Sequence, residues 1–106
     1  MLTINYNDPD LTPDGVDIGG GEKYNYQNAP FTGALQFSYP NGSLQTEITY
    51  VNGYVEGVCR EYYSNGQMMQ ESYIKYNLDY GLFRQWDENG NLIDQFDFGP
   101  GPRGIK

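Results

Sequence analysis

Gly33, Gly57 and Gly81 stand 24 residues apart, and Asn41-Gly42, Asn65-Gly66 and Asn89-Gly90 repeat at the same spacing, nine residues into each unit. A fixed period in this range means that each unit is one supersecondary element. Such an element cannot bury an apolar face alone, so neighbouring units stack and share their burial. Function is then to be sought on a repetitive surface.

Within a unit the order is strand, Asn-Gly, strand, second turn. Asn-Gly between alternating residues predicts a hairpin closed by a type I′ turn, because both central positions must take φ > 0. The second turn falls at Asn52-Gly53 in one unit and at Tyr76-Asn77 in the next. Turns this short make successive strands antiparallel neighbours. Fourteen glycines and eleven tyrosines suit strands joined by tight turns. The fold class is therefore all-β, a single-domain antiparallel β-hairpin repeat, and 106 residues allow one domain with a modest core. With 16% aromatic and 19% charged residues the chain is too rich in rings for a disordered segment.

Alternation assigns faces. In the second strands the even positions carry Tyr24 and Tyr26, Leu44, Ile48 and Tyr50, Met68 and Ile74, then Leu92, Phe96 and Phe98. The odd positions carry Gln45 and Glu47, Glu71 and Lys75, Gln95 and Asp97. The even set is expected to pack and the odd set to be exposed. First strands are half-buried on both sides, with Leu35, Cys59 and Phe83 in one column and Ala34, Val58 and Leu82 in the other.

The array is expected over residues 22–98, its first unit reduced to Glu22–Gln27 running into Phe31-Thr32-Gly33. Residues 1–21 read as an N-terminal arm or cap over the first apolar layer. Residues 99–106 read as a tail, since Gly-Pro-Gly-Pro cannot continue a strand. In the arm, Asp10, Thr12, Asp14 and Gly15 mimic positions of a calcium loop. Gly21 stands where the bidentate glutamate is required, so an ordinary loop is expected. Gly19-Gly20-Gly21 lacks the lysine and helix of a phosphate loop and reads as a hinge.

Six basic against fourteen acidic residues give a net charge of −8. That argues against nucleic acid or an anionic membrane as partner and fits a basic protein, or else serves solubility alone. One cysteine, no secretory-type leader and no apolar run of about 20 residues point to a cytoplasmic protein outside the membrane. Without histidine, nucleophilic triads and Cys/His zinc sites are excluded. Glu47, Glu61, Glu71, Asp87 and Asp94 form a regular lattice of exposed strand positions, as a solvated face would, and no cleft-forming insertion shifts a carboxylate toward acid/base work. No enzyme, metal or cofactor is expected. Cys59 reads as a small filler between Leu35 and Phe83. Tyr62, Tyr63, Tyr73, Tyr76 and Tyr80 fit either cross-strand packing or a binding surface.

The three segments from Gly33 to Gly42, Gly57 to Gly66 and Gly81 to Gly90 resemble the variant MORN repeat found in bacterial antitoxin and immunity-type proteins. The resemblance covers about residues 22–98, and this chain departs from it at Asn77–Tyr80 and at Trp86-Asp87. It implies an elongated, twisted meander sheet without catalytic residues. It also implies an immunity protein that binds a cognate toxin or effector and blocks it by occlusion, and the net charge of −8 fits a basic one. Contacts are expected from Glu47, Glu61, Tyr63, Glu71, Tyr73 and Asp94, on a monomer or weak homo-oligomer. The alternative is a scaffolding repeat that self-associates or docks a partner without inhibiting it. A lipid-head-group reading, proposed for related MORN repeats, is opposed by the charge.

Overall fold

In the computed structural model, residues 2–16, 22–75 and 78–100 are described. The strands are β1 (Thr3–Asn5), β2 (Leu11–Val16), β3 (Glu22–Tyr26), β4 (Ala29–Pro30) and β5 (Gly33–Ser38). They continue as β6 (Leu44–Val51), β7 (Tyr54–Tyr62), β8 (Met68–Lys75), β9 (Leu78–Trp86) and β10 (Leu92–Asp97). From β5 to β10 each strand pairs antiparallel with the next, as short turns between alternating segments dictate. The all-β hairpin meander expected from the period is the architecture observed. Two elements lie outside this meander, the short strand β1 that the alternation of Leu2, Ile4 and Tyr6 suggests and a second sheet that the residues do not announce. β1 joins the edge of β5 in parallel, and β2, β3 and β4 form a separate three-stranded sheet. Glu22–Tyr26 is thus not a partial first unit of the main sheet.

The Asn-Gly turns differ from the type I′ expectation. Only the glycine takes positive φ, at 89° for Gly42, 92° for Gly66 and 88° for Gly90. The glycine N–H donates to the carbonyl three residues back, Tyr39, Tyr63 or Asp87, at 2.8, 3.0 and 3.1 Å. Each is a three-residue connection whose glycine ends a turn in the left-handed region. The type I′ geometry appears instead at Asn52-Gly53, with φ of 50° and 89°, and at Gln27-Asn28, with 51° and 65°. Tyr76-Asn77 and Gly19-Gly20-Gly21 lie outside the described residues. Lys75 and Leu78 nevertheless pair across the former, as Val51 and Tyr54 pair across Asn52-Gly53.

A β-bulge recurs in every Asn-Gly hairpin. Phe37 pairs with Thr46 but Ser38 with Leu44; Glu61 with Gln70 but Tyr62 with Met68; Gln85 with Asp94 but Trp86 with Leu92. One extra residue, Gln45, Met69 or Ile93, enters each second strand, so the simple even/odd alternation stops there. Gly57 and Gly81 are not turn residues either. They lie inside β7 and β9, beside register shifts that also repeat after 24 residues.

The main sheet is unequally covered. Ile4, Tyr24, Phe31, Leu35 and Tyr50 make one buried cluster, where the small sheet meets the first strands of the large one. The Tyr24 and Tyr50 rings meet edge to face at 5.6 Å, and Phe31 packs against Tyr50 at 5.7 Å. From β7 onward the described residues bury only Glu71 and Ser72. The even-position packing therefore holds at Tyr24 and Tyr50 and fails in the last unit, where Leu92, Phe96 and Phe98 are 51%, 56% and 46% exposed. No second layer of described residues reaches them. Leu11–Val16, expected as a loop, is β2 because it pairs with β3.

Gly33 sits where two backbones touch: its N-terminal neighbour in space is β1, and a Cβ there would be driven into the Leu2 carbonyl oxygen and against the Phe31 ring at 3.0 Å. Gly42 has open space around it and only a positive φ to satisfy. Gly33→Ala is expected to cost roughly 3 kcal/mol or more and Gly42→Ala about 1 kcal/mol, read as urea midpoints at constant m-value.

Candidate protein-binding surface

One row of residues crosses the large sheet in register: Asn5, Gln36, Glu47, Arg60, Glu71, Arg84 and Gln95, one from each strand. The 24-residue period puts Gln36, Arg60 and Arg84 at one repeat position and Glu47, Glu71 and Gln95 at another, so hairpin pairing sets opposite charges side by side. Gln36 Nε2 donates to Glu47 Oε2 at 2.8 Å. Arg60 Nη1 lies 3.6 Å from Glu47 Oε1, and its Nε donates to Glu71 Oε2 at 2.9 Å. Arg84 Nη2 donates to Glu71 Oε1 at 2.6 Å, with its guanidinium 5.3 Å from the Trp86 ring centroid. Glu71, at 7% exposure, is therefore a buried carboxylate with both oxygens on guanidinium groups. Arg60 donation, reinforced by Arg84, outweighs burial and holds it below its ordinary 4.5.

A second ladder runs through the turns. Tyr39 Oη donates to the Tyr62 carbonyl at 2.6 Å, and Tyr63 Oη to the Trp86 carbonyl at 2.9 Å, each reaching one unit along. Asn65 Nδ2 likewise donates to the Glu88 carbonyl at 3.1 Å. In the last unit the tyrosine is replaced by Asp87. Its carboxylate accepts the Asn89 and Asn91 N–H groups at 2.9 Å within its own turn, and these bonds hold its pKa down. That gives the Trp86-Asp87 departure a structural cause: the linking hydroxyl is absent from the last described turn.

These ladders separate the six expected contact residues. Glu71 is buried and Glu47 half-buried, both paired with arginine, which corrects the lattice of exposed carboxylates. Tyr63 is half-buried and holds the next turn. Tyr73 is half-buried, with its ring 5.9 Å from Tyr80 and against Gly81, where a Cβ would meet it at 3.6 Å. Glu61 and Asp94 are exposed. They share a row, Glu61 opposite Gln70, Gln70 opposite Gln85, and Gln85 opposite Asp94. Tyr76 lies outside the described residues.

The sequence reading missed Arg60 and Arg84 as the partners of those carboxylates, although both stood at one repeat position. It also missed the exposed group at the sheet's far end: Leu78, Leu92, Ile93, Phe96 and Phe98. Phe98 packs edge to face on Phe96 at 4.8 Å and on Phe83 at 6.3 Å. Beside them, none of Glu61, Glu88, Asp94 and Asp97 pairs with a cation among the described residues, whose ion pairs use Asp14, Glu47, Glu56 and Glu71. Along β10 the result is an apolar strip bordered by carboxylates, with Phe96 and Phe98 on one face and Leu92, opposite Trp86, on the other, while Leu78 stands apart at the opposite end of β9.

A hollow of about 340 Å³ at the opposite end is lined by Asn5, Tyr6, Phe37, Tyr39 and Gln45 among others, with no carboxylate, cysteine or histidine in its wall. Among the described residues no group of acidic and cysteine side chains is arranged to hold a metal ion, and no helix is long and apolar enough to cross a membrane.

The sequence model for the MORN repeat variant matches residues 31–52, 55–76 and 79–98, more than half of the chain. The chain belongs to the MORN repeat variant family. No curated protein and no solved structure matches it. Each MORN unit supplies two rungs of the charged row: Gln36 with Glu47, Arg60 with Glu71, and Arg84 with Gln95. Ile4 and Tyr24, which complete the buried cluster, come from outside the matched MORN residues.

Glu71→Gln leaves Arg84 without a carboxylate in a half-buried site and is expected to cost about 2 kcal/mol, below the full penalty of a broken buried pair because both arginines keep some water. Since the folded carboxylate titrates below its unfolded value, its contribution is complete above about pH 4.5. It is lost as pH falls through the lower folded value, so the urea midpoint should drop there more steeply for wild type than for Glu71→Gln.

Cys59, half-buried between Ile48 and Ser72 on neighbouring strands, is pushed up to about 11, chiefly by burial. Its alkylation at pH 8 should be at least ~100-fold slower folded than in urea, measured by mass spectrometry.

Proposed function

We propose that this MORN chain is a non-catalytic, protein-binding immunity or antitoxin protein that neutralises a cognate bacterial toxin by direct binding and occlusion in the cytoplasm. The observation that carries the binding role is the far end of the sheet. There Leu92, Ile93, Phe96 and Phe98 stay exposed beside Asp94 and Asp97, which lack a cation partner among the described residues. Exposed aromatic groups at this density mark interaction sites, and an acidic border steers a basic partner. The neutralising role rests on the resemblance of the Gly-to-Asn-Gly units to immunity-type repeats. The charged row contributes rigidity, since Glu47 and Glu71 are engaged within the sheet. Contact is accordingly assigned to Glu61 and Asp94 with the apolar strip, whereas Tyr63 and Tyr73 hold the platform.

The open edge at β10 also suits the alternative, a scaffolding repeat that self-associates. Light scattering across a concentration series separates the two: a monomer that becomes a discrete heterodimer supports neutralisation, and a stable homo-oligomer supports scaffolding.

Co-expression with the product of the adjacent gene in the native operon should yield a one-to-one complex that suppresses that protein's toxicity; absence of a complex overturns the proposal. The association rate should fall roughly tenfold from about 0.05 M to about 0.5 M salt, measured by stopped flow, and a salt-independent rate would remove the steering role from the acidic border.

A further inference from the structure

We propose that the free edge of β10 accepts an extended segment of the partner, apolar and basic in composition, as an added β-strand. This deepens the binding reading above and rests on it for the identity of the partner. β10 is last in the sheet order, hydrogen-bonded to β9 on one side, and all six of its residues are exposed.

The repeat explains that exposure. Phe98 follows Ile74 by 24 residues and Tyr50 by 48. Tyr50 is buried under Tyr24 and Phe31, whereas among the described residues no strand lies beyond Phe98 in the sheet. Pairing continues to the strand's end, with Phe98 N–H donating to the Gly81 carbonyl at 2.9 Å and Gly81 N–H to the Gly99 carbonyl at 2.7 Å. Beyond the bulge at Ile93 the edge thus carries Phe96 and Phe98. Because Asp94 Oδ1 accepts the Gln95 N–H at 2.9 Å and Asp97 Oδ1 the Gly99 N–H at 2.8 Å, an added strand is held there chiefly by donating to the edge carbonyls. The turn ladder points the same way. Asn41 and Asn65 each donate to the following turn, and Asn89 occupies that position where no described turn follows.

Charge selects the occupant. Two copies paired through β10 would bring Asp94 and Asp97 of one against those of the other. A copy added head to tail would present β1, and residues 2–16 contain no lysine or arginine to meet them. The Asp87 carboxylate, in place of the hydroxyl of Tyr39 and Tyr63, also cannot donate to a carbonyl of a further identical unit. A heterologous strand with apolar residues beside Phe96 and Phe98 and Lys or Arg on the opposite face beside Asp97 meets these requirements, with Asp94 adding attraction from the apolar face.

The test titrates the full-length, ¹⁵N-labelled protein with a synthetic peptide about as long as β10, alternating valine and lysine. Saturable one-to-one binding is expected, with shifts and amide protection centred on Leu92–Asp97. A version N-methylated on the amides facing β10 should bind at least roughly tenfold more weakly, because strand addition needs those donors. A glycine-lysine peptide of equal charge should bind far less, and the Asp94→Asn/Asp97→Asn variant should bind the valine-lysine peptide several-fold more weakly. Equal binding of the N-methylated peptide overturns the proposal, as do shifts centred on acidic residues elsewhere or a homodimer through β10 without peptide. A native partner that protects a different surface overturns this proposal and leaves the neutralising role intact. Peptide capture at β10 without any toxin complex does the reverse.

Discussion

A buried glutamate between two arginines organises the outer half of this sheet. Glu71 stands at the polar repeat position that Glu47 and Gln95 occupy in the neighbouring units, yet it is almost excluded from water, and no second layer of described residues covers the sheet from β7 onward. An isolated carboxylate there would be expensive to desolvate. Two guanidinium groups on the flanking strands saturate both oxygens, and those arginines exist at the right places because the 24-residue period and antiparallel pairing bring them there. The arginine stems and the Trp86 ring then cover part of the sheet that aliphatic residues would cover in a two-layer protein. Charge alternation across strands thus allows a single-layer sheet to extend without a conventional core.

That arrangement divides the molecule into two ends with different physics. The N-terminal end is a two-layer structure in which Leu35 and Phe31 are almost completely excluded from water and the small sheet supplies Tyr24. Burial of this kind is non-directional and tolerant of small shifts. At the far end, stability depends on directional contacts: ladder hydrogen bonds, the charged row and turn-to-turn bonds from Tyr39, Tyr63 and Asn65. Nearest-neighbour contacts of this sort make each unit depend on the one before it, so order propagates outward from the cluster around Leu35 toward β10.

Much of this was legible in the residues. The period fixed the hairpins, their antiparallel order and the half-buried first strands, because glycine and asparagine have few alternatives at such positions. The turn type was not legible. Asn-Gly is compatible with both a type I′ turn and a longer loop ended by glycine, and the distinction depends on the bulge one step into the next strand. Met69 and Ile93, apolar residues at positions expected to be polar, were the visible sign of that bulge. The role of Glu71 was hidden for another reason: strand alternation identifies a face but not what covers it. Arg60 and Arg84 become its partners only after the hairpin register is known. The separate sheet of β2, β3 and β4 was also beyond reach, since Glu22–Tyr26 carries the composition of a repeat strand while pairing with the arm.

The same division assigns different tasks to similar side chains. Tyr50 and Phe98 occupy equivalent positions of the repeat, 48 residues apart, yet the first closes a core under Tyr24 and Phe31 and the second lies on a bare strand end. What separates them is the arm, which reaches the first strands and not the last. A chain selected only for solubility would have replaced Leu92, Ile93, Phe96 and Phe98 by polar residues, because nothing in the fold of the described residues requires them to be apolar. Retaining an apolar cluster on an otherwise acidic sheet costs solubility while adding little to folding. Such a cluster is economical only when another surface completes it, and the directional, pre-formed order of β8 and β9 beneath β10 keeps the ordering cost of that event small.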